Sequence, residues 1–439
     1  MMLRASVDAA LVRPAQRASG RVQVPGDKSI SHRYALLGAI AEGVTRISGY
    51  SSGADCAATL ACLRALGVPV VAEGGRVEIT GRGLHGLTRA PAAVDAANSG
   101  TTMRLLAGLA AAHPFRTVIL GDASLTRRPM RRVMAPLTQM GANIQSDEGR
   151  PPLTIDGARL QGITYRPDVP SAQVKSSVLL AGLHASGRTV VIEPAATRDH
   201  TERALSAFGV TVEKDGLQVA VTGGQRLIGL TLQVPGDISG SAFWGALAAG
   251  IPGSVVEIEN LGLNPSRTAL LDILRRSGAD VDVTVESEAA GEPIGRVRIS
   301  CADRRSFSIS PAEVPAVIDE LPALGALGTL LPEGSTMEVR GAAELRVKES
   351  DRISALAAGF RSMGADMTEY PDGFRITARP LAGGATVDAV GDHRLAMAFA
   401  IAACGAAAPT TIAGAGAVDV SYPGFFRELE RLTTPGAGR

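Results

Sequence analysis

Aromatic residues and net charge are both scarce in this chain. Phe, Trp and Tyr make up 3% of the sequence, and the formal net charge is +1. A protein that binds nucleic acid normally presents a basic face, and one that binds single strands adds aromatic rings on which the bases stack. No apolar run reaches the about 20 residues that span a bilayer. These shortages predict a protein that binds neither nucleic acid nor a membrane.

Cysteine and histidine are also few, and their spacing fits no metal site. The chain has four cysteines and six histidines. No two cysteines form a CxxC pair, and the histidines are scattered along the sequence. Structural metal sites and disulfide frameworks have characteristic Cys and His spacings, which are missing here. The sequence therefore predicts no metal, no disulfide and a location in the reducing cytoplasm.

Lysine is the scarcest charged residue. Of the 44 Lys and Arg residues, only Lys28, Lys175, Lys214 and Lys348 are lysines. An ammonium is a compact point charge that can titrate, whereas a guanidinium is a planar fork. Lys28, Lys175 and Lys348 each fall in a polar cluster, so they are candidate functional residues. The alternative is chance placement.

A short repeat predicts the units of the fold. Five times a helix-like segment ends in glycine and is followed by an alternating apolar and polar run. Glycine just after a helix favours the left-handed conformation that ends many helices, and alternation indicates a strand. A sixth such helix, residues 425–432, has no strand after it. The five glycines are Gly67, Gly141, Gly209, Gly278 and Gly364.

A longer repeat divides the 439 residues into two halves. Gln23-Val-Pro-Gly-Asp-Lys-Ser recurs as Gln233-Val-Pro-Gly-Asp-Ile-Ser. The repeat predicts two domains of three units each, residues 23–234 and residues 1–22 plus 235–439, joined by a double crossover hinge. Residues 1–22 would complete the second domain as a swapped-in strand. The alternative is convergence of common turn chemistry.

Several segments read as helices without a polar face, namely residues 176–184, 241–249 and 395–404. A helix of this kind is buried. The fold class that follows is α/β, with buried helices inside a ring of sheets.

Polar side chains precede these apolar helices. The first such stretch puts Lys28, Ser29 and Arg33 just after a turn, at the start of a predicted helix. Free N–H groups and the helix dipole favour an anion at that position. The stretch is not a Walker loop, because the earlier glycine is missing. The alternative is a basic helix cap on the surface.

Similar stretches recur in both halves. Several helix N-termini that converge on one cleft would bind a multiply anionic substrate. For Asp319, a helix N-cap and a general base both stay open. Lys348 and Arg352 are predicted to share a helix face. The stretches are residues 97–104, 121–132, 170–177, 197–202, 317–322, 346–352 and 391–394.

Together these motifs resemble the enolpyruvyl transferase family over nearly the whole chain, in particular its branch that acts on 3-phosphoshikimate. The resemblance implies a two-domain inside-out α/β barrel, in which each domain has three βαβαββ-type units with buried helices. The matching motifs are Pro-Gly-Asp-Lys-Ser-Ile-Ser-His-Arg, Asn-Ser-Gly-Thr-Thr-Met-Arg, Arg-Arg-Pro-Met, Ser-Ala-Gln-Val-Lys-Ser, Thr-Arg-Asp-His-Thr-Glu, Ile-Asp-Glu, Arg-Val-Lys-Glu-Ser-Asp-Arg and Gly-Asp-His-Arg.

The resemblance implies a transferase reaction that needs no cofactor and no metal. The carboxyvinyl group of phosphoenolpyruvate passes to the 5-hydroxyl of 3-phosphoshikimate, and phosphate is released, by addition and elimination through a tetrahedral intermediate. This reaction belongs to the shikimate pathway, which leads to chorismate and the aromatic amino acids. A cytoplasmic monomer is expected. Closure of the two domains would exclude water and assemble two half-sites.

The resemblance also assigns roles to residues. Asp319 accepts the 5-hydroxyl proton, with Lys348 beside it as the other candidate for first acceptor. Glu349 protonates the methylene carbon, and Lys28 reaches both substrates. The residues for 3-phosphoshikimate are Lys28, Ser29, Arg33, Ser171, Ala172, Gln173, Arg198, Asp319 and Lys348. The residues for phosphoenolpyruvate are Lys28, Gly100, Arg128, Gln173, Arg352 and Arg394.

Four positions qualify the resemblance. Ala172 stands where many members have a second serine, so only its backbone can contact the substrate. Glu344 and Val420 stand where some members have a substrate-contacting Asn and Lys, and we assign them no role. Gly100 is the small residue that accompanies sensitivity to the inhibitor glyphosate in the family. The sequence therefore predicts that glyphosate binds.

Two alternative functions stay open. The first is transfer to UDP-N-acetylglucosamine, but that family has a reactive cysteine in the loop before its Arg-Pro motif, and residues 121–130 contain none. The second is a non-catalytic anion-binding relative. The joint presence of Lys28, Asp319, Lys348 and Glu349 argues against it.

Overall fold

The computed structural model describes residues 8–434 and divides the chain into two compact units. The N-terminal unit comprises Gly26–Pro235 and Glu288–Glu292. The C-terminal unit comprises the chain up to Pro25, Gly236–Ser287 and the chain from Pro293 onward. The two ends of the predicted second domain, residues 1–7 and 435–439, lie outside the described residues.

The chain passes between the units within the two Val-Pro-Gly-Asp turns. A role of these crossovers as a hinge stays a prediction. One segment differs from the predicted division, because residues 288–292 group with the N-terminal unit. There Nδ1 of His200 lies 2.8 Å from Oε1 of Glu292, and Arg203 donates to the carbonyl of Gly291. A hairpin tip carries no local sequence signal for such a long-range pairing.

The chain forms 23 strands and 13 α-helices among the described residues. The elements up to the second turn are β1 (Ala9–Val12), β2 (Ser19–Gln23), α1 (Lys28–Ile40), β3 (Val44–Ser48), α2 (Ala54–Ala65), β4 (Val70–Glu73), β5 (Arg76–Thr80), β6 (Val94–Asp95), α3 (Gly100–Ala110), β7 (Arg116–Leu120), α4 (Arg131–Gln139), β8 (Asn143–Asp147), β9 (Arg150–Asp156), β10 (Thr164–Tyr165), α5 (Ala172–Gly182), β11 (Arg188–Ile192), α6 (His200–Ala207), β12 (Val212–Asp215), β13 (Gln218–Thr222) and β14 (Thr231–Gln233). Those after it are α7 (Ile238–Gly250), β15 (Val255–Gly262), α8 (Ala269–Arg276), β16 (Asp280–Ala289), β17 (Glu292–Ser300), β18 (Phe307–Ile309), α9 (Val314–Val317), α10 (Leu321–Thr329), β19 (Thr336–Val339), α11 (Arg352–Ser362), β20 (Asp366–Tyr370), β21 (Gly373–Thr377), β22 (Thr386–Asp388), α12 (His393–Ala403), β23 (Thr410–Ala413) and α13 (Phe425–Thr433).

These strands form six small sheets, three in each unit, which confirms the six repeated units. Five sheets have four strands in the orders β14-β3-β5-β4, β6-β7-β9-β8, β10-β11-β13-β12, β2-β15-β17-β16 and β18-β19-β21-β20. The sixth has three strands, β1-β23-β22. The start of the chain therefore completes the C-terminal unit with two strands, because β2 pairs with β15 and β1 with β23.

Each repeated unit contains one helix that is buried almost throughout. These helices lack charged residues over most of their length, so they have no face to offer to water. In the N-terminal unit α3 packs against α5, and in the C-terminal unit α7, α10 and α12 pack together. A side chain at Gly108 would put its Cβ 2.4 Å from the carbonyl oxygen of Ser177, so the close approach of α3 and α5 requires glycine. The six helices are α1, α3, α5, α7, α10 and α12. The architecture is that of a two-domain inside-out α/β barrel.

The predicted glycine ends of the helices are confirmed. All five glycines have φ between +83° and +117°. At Gly67, the glycine N–H donates to the carbonyl of Arg64, and the N–H of Val68 donates to the carbonyl of Leu63. The other four sites repeat this pair of bonds, which satisfies carbonyls that the helix end leaves unpaired. The sixth helix, α13, also forms as predicted.

Candidate active site

In the N-terminal unit, Lys28 is the first residue of α1. Asp27 caps this helix, because its side chain accepts from the N–H of Ile30 at 2.9 Å. Nζ of Lys28 lies 2.6 Å from Oδ2 of Asp55 on α2, and the lysine side chain is 16% exposed. The helix N-terminus thus carries a partly accessible ammonium that a carboxylate holds in place.

Arg33 lies further along α1 and is buried. Its guanidinium donates to Oγ1 of Thr201 at 2.6 Å, to Oγ of Ser176 at 2.7 Å and to the carbonyl of Ser29 at 2.9 Å. Burial lowers the pKa of Arg33 to about 10, and the positive charge of Arg198 acts in the same direction. Arg33 therefore stays cationic at neutral pH, and the field of a second guanidinium reaches it.

The start of α5 is connected to α3 by hydrogen bonds of a side-chain amide, that of Gln173. Ser171 caps α5, because its Oγ accepts from the N–H of Val174 at 3.3 Å. Gln173 accepts from Nη1 of Arg104 at 2.6 Å and donates to Oγ1 of Thr101 at 2.9 Å. The capping serine explains why α5 begins at residue 172 rather than at the predicted 176. These bonds fix Gln173 beside the N-terminus of α3.

Gly100 lies under two arginines at the start of α3. A Cβ at this position would be 2.9 Å from Nη1 of Arg104 and 3.2 Å from Nη1 of Arg128. Nη2 of Arg128 donates to Oδ1 of Asn98 at 2.9 Å and to Oγ of Ser124 at 3.3 Å. Glycine here leaves room for both guanidinium groups, so a larger residue would displace at least one of them.

In the C-terminal unit, Asp319 is surrounded by cations. Its Oδ1 lies 3.4 Å from Nζ of Lys348 and 3.9 Å from Nη1 of Arg352. Nη1 of Arg394 donates to the Asp319 carbonyl at 2.6 Å. The N-cap of α10 is Glu320, whose side chain makes no capping bond. Asp319 is therefore not the N-cap of α10, and the helix-cap alternative for this carboxylate is wrong.

Arg352 joins two acids in the same unit. Its Nε lies 2.7 Å from Oδ2 of Asp392, and its Nη2 pairs with Glu349. Burial alone would lower the pKa of Arg352, but Asp392 and Glu349 raise it above its ordinary value. Asp392 also caps α12, because it accepts from the N–H of Arg394 at 2.9 Å. One buried network therefore orients Glu349, Arg352 and the start of α12.

The prediction that Lys348 and Arg352 share a helix face is wrong. Lys348 follows a short 3-10 turn, Ala343–Val347, whereas α11 begins only at Arg352. Asp351 lies between them and caps α11, accepting from the N–H of Ser354 at 3.1 Å. The cap, rather than a continuous helix, sets the positions of the two cations.

The structure thus gathers the predicted residues into two sets, one in each unit. It adds four side chains that the sequence did not assign. Asn98, Arg104 and Asp392 stand inside motifs already singled out, so their motif was the available signal, whereas Asp55 becomes visible only through its contact with Lys28. Among residues 8–434, no three His, Cys, Asp or Glu side chains are grouped so as to hold a metal ion. In the same range no helix is long and apolar enough to cross a membrane.

Comparison with known proteins gives matches along nearly the whole chain. The family model for EPSP synthase (3-phosphoshikimate 1-carboxyvinyltransferase) matches residues 12–429. The 3-phosphoshikimate 1-carboxyvinyltransferase of Alkalilimnicola ehrlichii is 51% identical over 417 residues, which are 94% of this chain and 93% of the relative. The enzyme of the same name from Acidithiobacillus ferrooxidans is 50% identical over 416 residues, 94% of this chain and 95% of the relative.

A solved structure agrees with these matches. The structure of EPSP synthase from Acinetobacter baumannii superimposes with a TM-score of 0.85 at 43% identity, covering 97% of this chain and 98% of that one. The relatives share one function, and transfer to a sugar nucleotide is not favoured. The chain therefore belongs to the EPSP synthase family and is a transferase of the shikimate pathway that moves an enolpyruvyl group.

Proposed function

We propose that the two sets of residues act on one pair of substrates, phosphoenolpyruvate and 3-phosphoshikimate. Both substrates carry a phosphate and a carboxylate, and both sets present a cation at a helix start, Lys28 in one and Arg352 and Arg394 in the other. Anions of this kind are held well by guanidinium forks and by free helix N–H groups.

We assign the acceptor, 3-phosphoshikimate, chiefly to the starts of α1 and α5. The N-terminus of α5 offers backbone N–H groups at Ala172 and beyond, and the positive charge of Arg198 acts on Arg33. This combination suits a phosphate. The proposed acceptor residues are Lys28, Ser29, Arg33, Ser171, Ala172, Gln173 and Arg198, with Asp319 and Lys348 at the reacting hydroxyl.

We assign the donor, phosphoenolpyruvate, to the start of α3 and to two arginines of the C-terminal unit. Support comes from Arg128, which the bonds to Asn98 and Ser124 hold above Gly100. The proposed donor residues are Lys28, Gly100, Arg128, Gln173, Arg352 and Arg394.

The proposed chemistry is addition followed by elimination. Asp319 takes the proton of the 5-hydroxyl as its oxygen bonds to carbon 2 of phosphoenolpyruvate, and Glu349 gives a proton to carbon 3. The tetrahedral intermediate then loses phosphate from carbon 2, and a proton leaves the new methyl group to restore the double bond. General acid–base help of this kind contributes about 10²–10⁴-fold in rate.

One observation carries this proposal: Asp319 with its three cations. Lys348 lies against the carboxylate, and Arg394 holds the Asp319 backbone. A base must be fixed within reach of the proton it removes, and these contacts fix it without a helix cap. Glu349 pairs with Arg352, which also lies 3.9 Å from Oδ1 of Asp319, so one guanidinium links the acid to the base.

Phosphate release tests the proposal directly. The chain should release phosphate from phosphoenolpyruvate with 3-phosphoshikimate and should not do so with UDP-N-acetylglucosamine. Asp319→Asn should lower kcat about 10³-fold and leave the affinity for both substrates within a few-fold. Release with the sugar nucleotide alone would overturn the assignment, as would an unchanged kcat in the variant.

We also propose that glyphosate inhibits the enzyme at the donor site. The support is the space at Gly100, which a Cβ would remove at the expense of Arg104 and Arg128. Gly100→Ala should raise the inhibitory concentration of glyphosate at least tenfold. Wild-type activity that persists at high glyphosate would refute this proposal.

Two further predictions concern the state of the protein. The expected monomer is tested by light scattering coupled to size-exclusion chromatography, where a dimer mass would contradict it. The expected cytoplasmic location is supported by four free thiols, three of them buried. It is tested by fractionation of cells that express the chain.

A further inference from the structure

Lys175 is buried between two carboxylates in the N-terminal unit. Its side chain is 1% exposed, and its Nζ lies 2.9 Å from Oε2 of Glu193 and 2.7 Å from Oε1 of Glu202. Both carboxylates are buried as well. An ammonium removed from water in this way is costly unless such partners surround it. The proposed mechanism gives Lys175 no task, and its ammonium is occupied by protein groups.

Lys175, Glu193 and Glu202 form a triad. Its first two members, Lys175 and Glu193, connect two elements that are proposed to bind the acceptor. Lys175 lies on α5, four residues after Ser171 and one turn from the N–H groups proposed to hold phosphate. Glu193 directly follows β11 and opens the loop that carries Arg198. Thr197, next to Arg198, donates to Glu193 and closes this loop upon it.

The third member extends the network to α1. Glu202 lies on α6 beside Thr201, whose Oγ1 accepts from Nε of Arg33 at 2.6 Å. Oγ of Ser176, the neighbour of Lys175, also accepts from Arg33, at 2.7 Å. Lys175 therefore stands where α5, the Arg198 loop and the Arg33 contacts meet.

The charges of the triad matter to an anionic ligand. One ammonium faces two carboxylates, so the three side chains together carry a net charge of −1. Without Lys175, two buried carboxylates would face the region proposed for a phosphate, and their mutual repulsion would separate α6 from β11. The negative charge of Glu202 also reaches Arg33.

We propose that Lys175 is a positioning residue for 3-phosphoshikimate: it holds the start of α5, the Arg198 loop and α6 in the arrangement that binds the acceptor phosphate. This inference rests on the proposed function. A lysine suits the position because a compact ammonium fits between two carboxylates, whereas a planar guanidinium needs more space. We expect the donor site to depend on it less, because Gln173, the one donor residue on α5, is also held by Arg104 and Thr101 on α3.

The test is Lys175→Met, which keeps most of the length of the side chain and removes its charge. We expect the Kd for 3-phosphoshikimate alone, measured by calorimetry, to rise at least tenfold. We expect the KM for phosphoenolpyruvate, measured at saturating acceptor, to stay within threefold of wild type. An acceptor Kd within twofold of wild type would overturn the inference, as would an equal loss for both substrates.

Val219→Ala is the matched control, because Val219 is buried on β13, which pairs with β11 just before Glu193, and its side chain is apolar. Both variants should lower the melting temperature, but only Lys175→Met should weaken acceptor binding. Weaker acceptor binding in the control too would show that the effect is general loosening, and the inference would fail.

A second variant covers the case in which Lys175→Met does not fold. Lys175→Gln can still donate to one carboxylate, so we expect a threefold or larger rise in acceptor Kd with no change for the donor. No change, or an equal change for both, would again overturn the inference. The proposed function fails separately, by the wild-type enzyme releasing no phosphate from the two substrates.

Discussion

The two Val-Pro-Gly-Asp turns have the same sequence, and each starts a buried helix with an aspartate cap, yet their surroundings differ. Asp27 caps α1 by accepting from the N–H of Ile30 at 2.9 Å, and Asp237 caps α7 by accepting from the N–H of Ser239 at 2.8 Å. The next residue is a partly exposed lysine at the first turn and a fully buried Ile238 at the second.

Charged groups are present at the second turn as well, but they pair with one another in the protein interior. Nη2 of Arg267 donates to Oγ of Ser239 at 2.6 Å and lies 3.3 Å from Oε1 of Glu320. Ser239 also donates to Glu320. All three side chains are at least 97% buried.

The contrast shows that the turn motif alone does not make an anion site. Both turns place free N–H groups and a helix dipole at the same kind of position. Each cation pairs with a buried acid, but at the first turn Lys28 stays 16% exposed, whereas at the second Arg267 is buried together with Glu320. The first turn should therefore govern activity and the second should govern stability.

Substitution of Lys28 tests the active half of this comparison and should have the largest effect. Lys28→Met should lower kcat/KM for phosphate release about 10³–10⁴-fold, because both substrates lose the same ammonium. Ile238→Met is the matched control, because it introduces the same side chain at the equivalent position. The control should keep kcat/KM within threefold and cost less than about 1.5 kcal/mol of stability. Equal losses in the two variants would break the comparison.

Substitution of Arg267 tests the structural half. Arg267→Met leaves Glu320 buried without its cation, which should cost about 3 kcal/mol of the free energy of unfolding. Arg267→Met combined with Glu320→Gln should recover most of that loss, because no unpaired charge remains. Urea denaturation measures both. A free energy of unfolding for Arg267→Met within 1 kcal/mol of the wild-type value would show that the charged groups at the second turn do not stabilise the fold.

The predictable part of the fold rests on local chemistry. The helix ends at Gly67 and its four equivalents were visible because glycine readily adopts the left-handed conformation that these ends require. The repeat predicted that residues 1–22 complete the second domain as a strand, but it did not give the two strands or their partners, β15 and β23. The hairpin tip at Glu292 was not visible, because its partner His200 is 92 residues away.

The site shows the same limit. Motifs revealed Lys28, Asp319 and Arg352, because these residues stand at helix starts in polar stretches. They did not reveal Asp55, which lies on a different helix in an apolar context and pairs with Lys28 only after folding. Nor did they separate a helix cap from a base at Asp319, since the two share one sequence signature and differ only in what the side chain contacts.

Acid sensitivity extends the comparison to the whole units. His32, His113 and His184 have pKa values that burial lowers, and all three lie in the N-terminal unit. Burial and the nearby His113 lower the pKa of His184 to about 4. Because this lies below the unfolded value of about 6.5, stability is complete above pH 6.5 and is lost as the pH falls towards 4. Allowing for the partial exposure of the ring, His184 should account for about 2 kcal/mol of that loss.

Trp244, the single tryptophan, reports on the C-terminal unit because it is buried in α7. At pH 7 urea unfolding followed by far-UV circular dichroism and by Trp244 fluorescence should nearly coincide. At pH 4.5 the dichroism should begin to fall first. His184→Gln should reduce the difference between the urea transitions that the two probes report at pH 4.5. Coincident transitions at both pH values would contradict the assignment of acid sensitivity to one unit.

The smallest expected effect concerns a second pair of matching turns. Ala97 and Val390, one in each unit, have φ of +48° and +46°. Each donates its N–H to an aspartate two residues earlier, Asp95 at 2.8 Å and Asp388 at 2.7 Å. A β-branched side chain fits the left-handed region poorly, whereas alanine fits it better. The strain should therefore be larger at Val390, whose side chain is half exposed and gains little from burial.

Val390→Gly should raise the free energy of unfolding by about 1 kcal/mol, because relief of strain exceeds the entropy that glycine adds to the unfolded chain. Ala97→Gly should change it by less than about 0.5 kcal/mol, because the same entropy cost offsets a smaller strain. Urea denaturation at pH 7 compares the two. A larger gain at Ala97 than at Val390 would contradict the argument, because the two turns share their backbone geometry and their aspartate bond and differ mainly in the branching of one side chain.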